Sequence, residues 1–523
     1  MHPKQKHMPL RRSVRIFAVI VSILVLLVAV GVIALLRVPP PLERILQARV
    51  ERALGEHFQR NVQMQNMRVT LVPMFRVSAD NFVLPNRDEN LPPFIAIKHF
   101  VAKADPLQLL RSPIHVSSLT LEGLVINTPP KGTRPSGQTE TAPTKRPHLA
   151  NFVIDRVIAD GTLLYVLPKN PDRDPLDFEI RKLTLKSAGI GQPMSFRAEL
   201  TNPKPPGLIH SSGKFGPWNM DEPSQTPVGG HYTFDNADLG VFNGISGTLS
   251  STGDYEGELN NIVVDGTTDT PDFKLDTGAR AVHLTTQFHA IVDGTSGNTY
   301  LQPVNASFLH SHVIARGEVA SQKGQKGKTI RLDIDVHDSR VEDMLVLATD
   351  KGNTLLTGNI VTQAKLVLPP GDEKVLDKMS LAGSFEVADA HFTNQDVQSK
   401  LDELSRRGQG KPEVMEIQNV TAEFSGTFNL QNARMSFSQL NFKTPGVAVE
   451  MKGAYSIPGQ DLNFVGDVRL QATLSHTLKG AKKWIAVPLD PLFKRKGAGT
   501  YLPVQVEGST DKPQIKLDWK KIL

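Results

Sequence analysis

Ile330-Arg331-Leu332-Asp333-Ile334-Asp335-Val336-His337 alternates an aliphatic residue with a charged or imidazole one throughout. A strand sends successive side chains to opposite faces, so this stretch buries one face and wets the other. The same residues on a helix would scatter their aliphatics around the axis. Ile330, Leu332, Ile334 and Val336 therefore define an apolar strand face. Shorter pieces of the same kind recur at Val69/Leu71, Leu119/Leu121, around Val153, at Leu183/Leu185, and over 447–451, 461–470, 504–507 and 515–519. Forty glycines and 37 prolines, spread along the chain, suit many short strands joined by turns. The sequence predicts a mainly β protein.

Helical exceptions are few. Behind the Pro39–Pro41 break, Leu42, Ile45, Leu46, Val50, Ala53, Leu54 and Phe58 recur at helical spacing, opposite a face of mixed charge. This predicts an amphipathic helix over 42–60 that covers the end of a core; the alternative is that it lies against a bilayer. Residues 105–110, 341–348, 396–407 and 474–483 are further helical candidates. Upstream, residues 16–36 carry no charge and follow a tail with Lys4, Lys6, Arg11, Arg12 and Arg15. At 1.5 Å per residue such a helix spans roughly 31 Å, the thickness of a hydrocarbon core. Ile16, Ile23, Leu26, Leu27, Leu35 and Leu36 are its anchor residues. The basic tail keeps the N-terminus cytoplasmic and sends the rest across. A cleaved signal peptide would have a shorter apolar stretch and a small-x-small cleavage site, whereas here Arg37-Val38-Pro39-Pro40 follows.

Charge and composition exclude several classes. The net charge is +6, but five of those charges lie in the tail, so the remainder has no basic footprint for nucleic acid. There is no cysteine, which removes disulfides, thiolate metal sites and cysteine nucleophiles together. No Gly-x-Ser-x-Gly elbow, phosphate-binding glycine loop or His-Glu-x-x-His occurs. His310 and His312 would share a strand face as a metal pair, but no third ligand lies nearby in sequence, and surface histidines are the plainer expectation. Asp333, Asp335 and His337, like Asp254, Glu256 and Glu258, read as wet strand faces. The expectation is a non-enzyme without cofactor. Residues 474–496 are different: Lys482, Lys483, Lys494 and Arg495 flank Trp484. They suit contact with an anionic membrane surface or a lipid headgroup, or else a short helix packed on the last strands.

Three regions carry a family resemblance. Residues 67–127 hold Val-Thr-Leu-Val-Pro, Lys-His-Phe-Val-Ala, Asp-Pro-Leu-Gln-Leu-Leu and Ser-Leu-Thr-Leu-Glu-Gly-Leu-Val-Ile in order. Residues 238–275 contain Gly-Ile-Ser-Gly-Thr-Leu and Gly-Asp-Tyr-Glu-Gly-Glu-Leu, and 491–513 close with Gly-Thr-Tyr-Leu-Pro-Val-Gln-Val-Glu-Gly-Ser-Thr-Asp-Lys-Pro. Together they resemble the AsmA-like family. That resemblance implies an inner-membrane anchor, a periplasmic bulk and, by kinship with bridge-like lipid-transfer proteins, a curled β groove for lipid. An internal echo, Val264 to Asp276 against Val506 to Asp518, suggests a repeated strand–turn–strand unit.

The implied organisation is a cytoplasmic tail (1–15), a transmembrane helix (16–36), the cap helix (42–60) and an N-terminal β region (61–127). A loosely held insertion (128–148) then separates that block from a central β groove (149–395). A short helix (396–410) and a C-terminal β region (411–523) follow. A half-apolar sheet must bury its greasy face against something, and few helices exist to cover it. If ~20–25 strands lay side by side at ~4.8 Å, one groove would run roughly 100–120 Å. The expected partners are phospholipid, the inner membrane, and outer-membrane or periplasmic proteins completing a bridge. The rival expectation is an envelope assembly factor whose two sheets close on each other and whose edges hold a partner protein.

Overall fold

The computed structural model describes Arg44, Gln47, Ala48, Glu51 and Arg52, then residues 61–518 apart from 71–73, 87, 89, 106–113, 129–151, 168–174, 190–191, 218, 220–221, 279, 323–326, 349–354, 372, 415–418, 481, 495–497 and 510–511. The expected span 16–36, with its anchor residues, lies outside the described residues, as do Leu71 and Arg495. Among the described residues no helix is long and apolar enough to cross a membrane. The molecule is mainly β, with a long curled sheet. It divides into two compact units, Met1–Thr201 with His210–Pro227 and Asn202–Ile209 with Val228–Leu523.

In the first unit, Gln63–Thr70, Phe75–Leu84 and Ile95–Ala104 form an antiparallel run. Asn66 and Asn81 sit in the left-handed region, at φ 51° each, where the pairing register shifts. A short polar residue tolerates that conformation, and one extra residue moves the apolar phase across the strand. Val62 and Met64 therefore face the same core as Met67 and Val69, although strict alternation would separate the two pairs. The helical Gln47 donates to the Met64 carbonyl at 2.7 Å, and Glu51 accepts from the Met64 amide at 3.1 Å. Those bonds favour the covering role at the described residues of the expected 42–60 helix, the rest of which lies outside them.

The insertion does not separate two blocks. Ser118–Glu122 pairs in parallel with Phe152–Ile158, and Val125–Thr128 pairs in parallel with Thr162–Val166. A parallel pair needs a connection of a dozen or more residues, and the chain between Glu122 and Phe152, like that between Thr128 and Thr162, is long enough for one. Leu176–Gly189 then runs antiparallel to both short strands and to Met194–Pro203.

The second unit is an antiparallel meander. From Thr248–Glu258 to Lys512–Leu517, fourteen strands pair each with the next in sequence. The phase shift of the first unit recurs here. Asn236, Asp338 and Asp389 have φ between 49° and 55°, and each is followed by a buried small residue, Ala237, Ser339 or Ala390. At the second of these the Ser339 hydroxyl accepts from the His312 amide and donates to carbonyl oxygen, restoring what the bulge removes from the ladder. The bent strand ends gather Val336, Ile360, Val387, Ala390 and Ala422 into one core, closed by the helices Val341–Ala348 and Gln395–Gly408.

Both of those helices match the sequence expectation; 474–483 does not. There, Leu474–Thr477 is one 3-10 turn and the helix starts anew at Lys482. Gly480, at φ 59°, takes the chain through the break. The internal echo also fails as a repeat. Its second copy is a hairpin between Thr500–Ser509 and Lys512–Leu517, but its first lies within the single strand Asn261–Leu275. Pro271 falls in the register shift between Thr270 and Phe273, where no ladder donor is needed.

The helix Gln395–Gly408 is tied to the strands by buried polar bonds. Asp402, 4 % exposed, accepts from the Val420 amide at 3.0 Å and the Gln398 amide group at 3.2 Å. Gln398 also donates to the Val420 carbonyl and accepts from the Phe392 amide. Asp402→Ala leaves two buried donors unpaired and is expected to cost about 2–3 kcal/mol. Urea unfolding of the full chain checks this as a lowered midpoint with an unchanged slope.

Candidate functional site

Register identifies the candidate site without reference to any cleft. Directly opposed residues point to the same side of a sheet. Following the pairs from Ile334 in both directions gives Gly253, Gly266, Phe288, Val304, Ala315, Ile334, Ala364, Gly383, Phe428, Phe437, Gly453, Phe464, Val506 and Ile515. Every one of the fourteen strands contributes, and no side chain in the row is polar. The adjacent row through Leu332 runs from Tyr255, Val264 and Ala290 through Leu301, Gly317, Leu366, Leu381, Leu430 and Met435 to Tyr455, Leu462, Gly508 and Pro513. It holds no charge either.

The opposite side of the same strands is wet. One row across it reads Arg316, Asp333, Lys365, Asn429, Ser436, Asn463 and Glu507, interrupted by Ala382 after Lys365 and by Ala454 after Ser436. Cross-strand ion pairs decorate that side, with Arg331–Glu318 at 2.9 Å and Arg469–Glu450 at 3.2 Å. Imidazole–carboxylate pairs join them at His231–Asp254 and His289–Asp265. Exposed pairs of this kind add little stability and mainly keep the face soluble. The reading of Asp333, Asp335 and His337 as a solvated face agrees with this geometry.

The apolar side is not sealed. Apart from Ala290, Ala364, Leu430 and Phe464, the side chains of the two rows are half-buried or exposed. The fully buried clusters of this unit lie at the bent strand ends, around Val336 and around Val282, Phe308 and Val346. Thus Ile330 and Leu332 line the half-open face, Ile334 packs against the margin of the closed cluster, and Val336 belongs to that cluster. Glycine punctuates the apolar side and is matched by bulk on the next strand. Gly266 lies under Phe288, Gly426 under Phe385 and Gly453 under Phe464. At Gly383, Gly453 and Gly466 an added Cβ would lie 2.1–2.2 Å from a neighbouring carbonyl oxygen, so the strands approach closely on that side.

Other expected site residues are placed elsewhere. Val69, 6 % exposed, is core of the first unit and not part of an open face; the Asn66 bulge that turned it inward has no signature in simple alternation. Leu119 and Leu121 are half-buried in the first unit, opposite Ala102 and Phe100. His310 sits in the turn after Phe308 and does not share a strand face with His312. His312 instead contacts the Ser307 hydroxyl at 3.0 Å. Among the described residues no group of three or more His, Asp or Glu could hold a metal ion. Lys482, Lys483, Trp484 and Lys494 fall on a short helical arm described below. Comparison with protein-family models, curated proteins and solved structures finds no match.

Proposed function

We propose that the curl of the second unit turns its apolar face into a groove that shields phospholipid acyl chains, and that the chain passes lipid through a bacterial envelope from an inner-membrane anchor. One observation carries this reading: fourteen consecutive strands contribute to two charge-free rows that the polypeptide leaves half-exposed. Soluble proteins rarely leave a contiguous apolar surface beyond a few hundred Å² without a partner for it. At ~4.8 Å per strand the face extends roughly 60 Å, shorter than a run of 20–25 strands would give. An acyl chain of about fifteen methylenes laid on it would gain roughly 12 kcal/mol at ~0.8 kcal/mol per CH₂. No chemical step is needed. The resemblance to AsmA-like proteins supports the same reading, together with an uncleaved 16–36 anchor, a periplasmic bulk and a role in outer-membrane lipid homeostasis.

The test is lipid extraction and mass spectrometry of the full chain after extensive detergent washing. Phospholipid retained in at least equimolar amount is the expected result. A lipid-free protein of full native stability overturns the proposal and leaves the assembly-factor reading. That second reading has one observation in its favour: the strand Lys512–Leu517 is exposed along its whole length, with Ile515 at 73 %. Lys512, Pro513 and Lys516 are nevertheless the residues that discourage strand addition at a sheet edge.

A further inference from the structure

The segment between Leu474 and Lys494 presents a surface that neither the apolar rows nor the core accounts for. Its inner side is fixed. Ala486 and Phe493 are buried, and the Ser475 amide and hydroxyl donate to the two Asp490 carboxylate oxygens at 2.8 and 2.7 Å. Burial opposes the charge on Asp490, but the Ser475 bonds, with Thr473 and the nearby His476, outweigh it and hold the pKa below the ordinary value. Asp490 is the only acid between Asp467 and Glu507, and it is spent on this internal tie.

The outer side is therefore basic and apolar without relief. Trp484 is 77 % exposed and Ile485 74 %, and Val487, Leu489 and Leu492 are exposed with them. Lys479, Lys482 and Lys494 are exposed around this patch. An aliphatic cluster with a projecting indole, ringed by lysine, is poorly suited to a protein partner, because lysine is depleted where protein interfaces desolvate. It matches a bilayer surface, where indole settles at headgroup depth and lysine meets anionic phosphate. We propose that this arm docks on the surface of an anionic bilayer, with Trp484 and Ile485 inserted at the interface and Lys479, Lys482, Lys483 and Lys494 over the headgroups. The arm packs on Thr500–Ser509, so docking brings the last strands of the apolar face to that surface.

The inference does not depend on the groove, and its test separates the two. Trp218→Phe with Trp519→Phe leaves Trp484 as the only indole of the full chain, which is held in phosphatidylcholine nanodiscs. Vesicles of phosphatidylglycerol and phosphatidylcholine with brominated acyl chains are then added. The expected result is a blue shift and quenching of Trp484 emission that salt reverses. Adding Lys482→Gln and Lys483→Gln should weaken vesicle affinity roughly 30-fold, from ~1 kcal/mol for each cation near an anionic surface. Trp484→Ser should abolish vesicle docking while the lipid that co-purifies is unchanged. Unaltered emission with these vesicles overturns the inference, and so does an equal response to pure phosphatidylcholine vesicles.

Discussion

Leu332→Asp should yield a folded protein that retains less than a tenth of the wild-type phospholipid. Leu332 stands mid-strand, opposite Gly317 on one side and Leu366 on the other, in a row without charge. Because the site is half-exposed, an empty face lets the new carboxylate reach water. The folding cost is then only the lost apolar burial, about 1–2 kcal/mol. A lipid lying over the row would remove that water, and an unpaired buried charge costs several kcal/mol. The same strand supplies two controls. Asp333→Leu alters the wet side, where Asp333 lies 3.7 Å from Lys365, and should leave lipid content unchanged. Val336→Asp places the charge in the closed core and should unfold the unit, since Val336 is packed among Val341, Ile360 and Val387. Lipid per protein and urea midpoints of the three variants are the measurements. Wild-type lipid content in Leu332→Asp would remove the apolar face from the function.

How much of this was legible beforehand follows from what each device needs. Alternation is local, so the strand Asp461–Leu470 was readable to the residue, and both helices that close the core were readable from their own apolar spacing. The wet side of Lys328–Arg340 was equally plain. What escaped was non-local or rested on one residue. A single left-handed Asn or Asp shifts the phase at Asn66, Asp338 and Asp389, and period-two counting passes over it. The usable signal was an Asn or Asp directly before a small or apolar residue near a strand end, as in Asp338-Ser339 and Asp389-Ala390. Spacing alone puts His310 and His312 on one strand face, but the turn residue Leu309, at φ 51°, puts them in different elements. The continuity of the apolar rows could not be read at all, because it depends on register between strands far apart in the chain.

Gly466→Ala should destabilise the full chain by about 2–4 kcal/mol, a reversal of the usual benefit of replacing a strand glycine. Alanine ordinarily helps because it restricts the unfolded chain, by ~0.4–1 kcal/mol where the native backbone accepts it. Here an added methyl would stand 2.1 Å from the Glu450 carbonyl oxygen and 2.7 Å from the Met451 Cα. Neither atom is the movable end of a side chain, so the strands Val447–Ser456 and Asp461–Leu470 must part. Their parting strains the ladder that pairs Met451 with Gly466 and Gly453 with Phe464. Gly453→Ala meets the same obstacle from the other strand, 2.2 Å from the Asn463 carbonyl oxygen. Because one separation relieves both clashes, the double variant should cost clearly less than the sum of the singles. Urea midpoints of the two singles and the double decide the matter. A stabilised Gly466→Ala, or strict additivity, would mean the strands do not close in on the apolar side. The proposed groove on that side would then lose its physical cause.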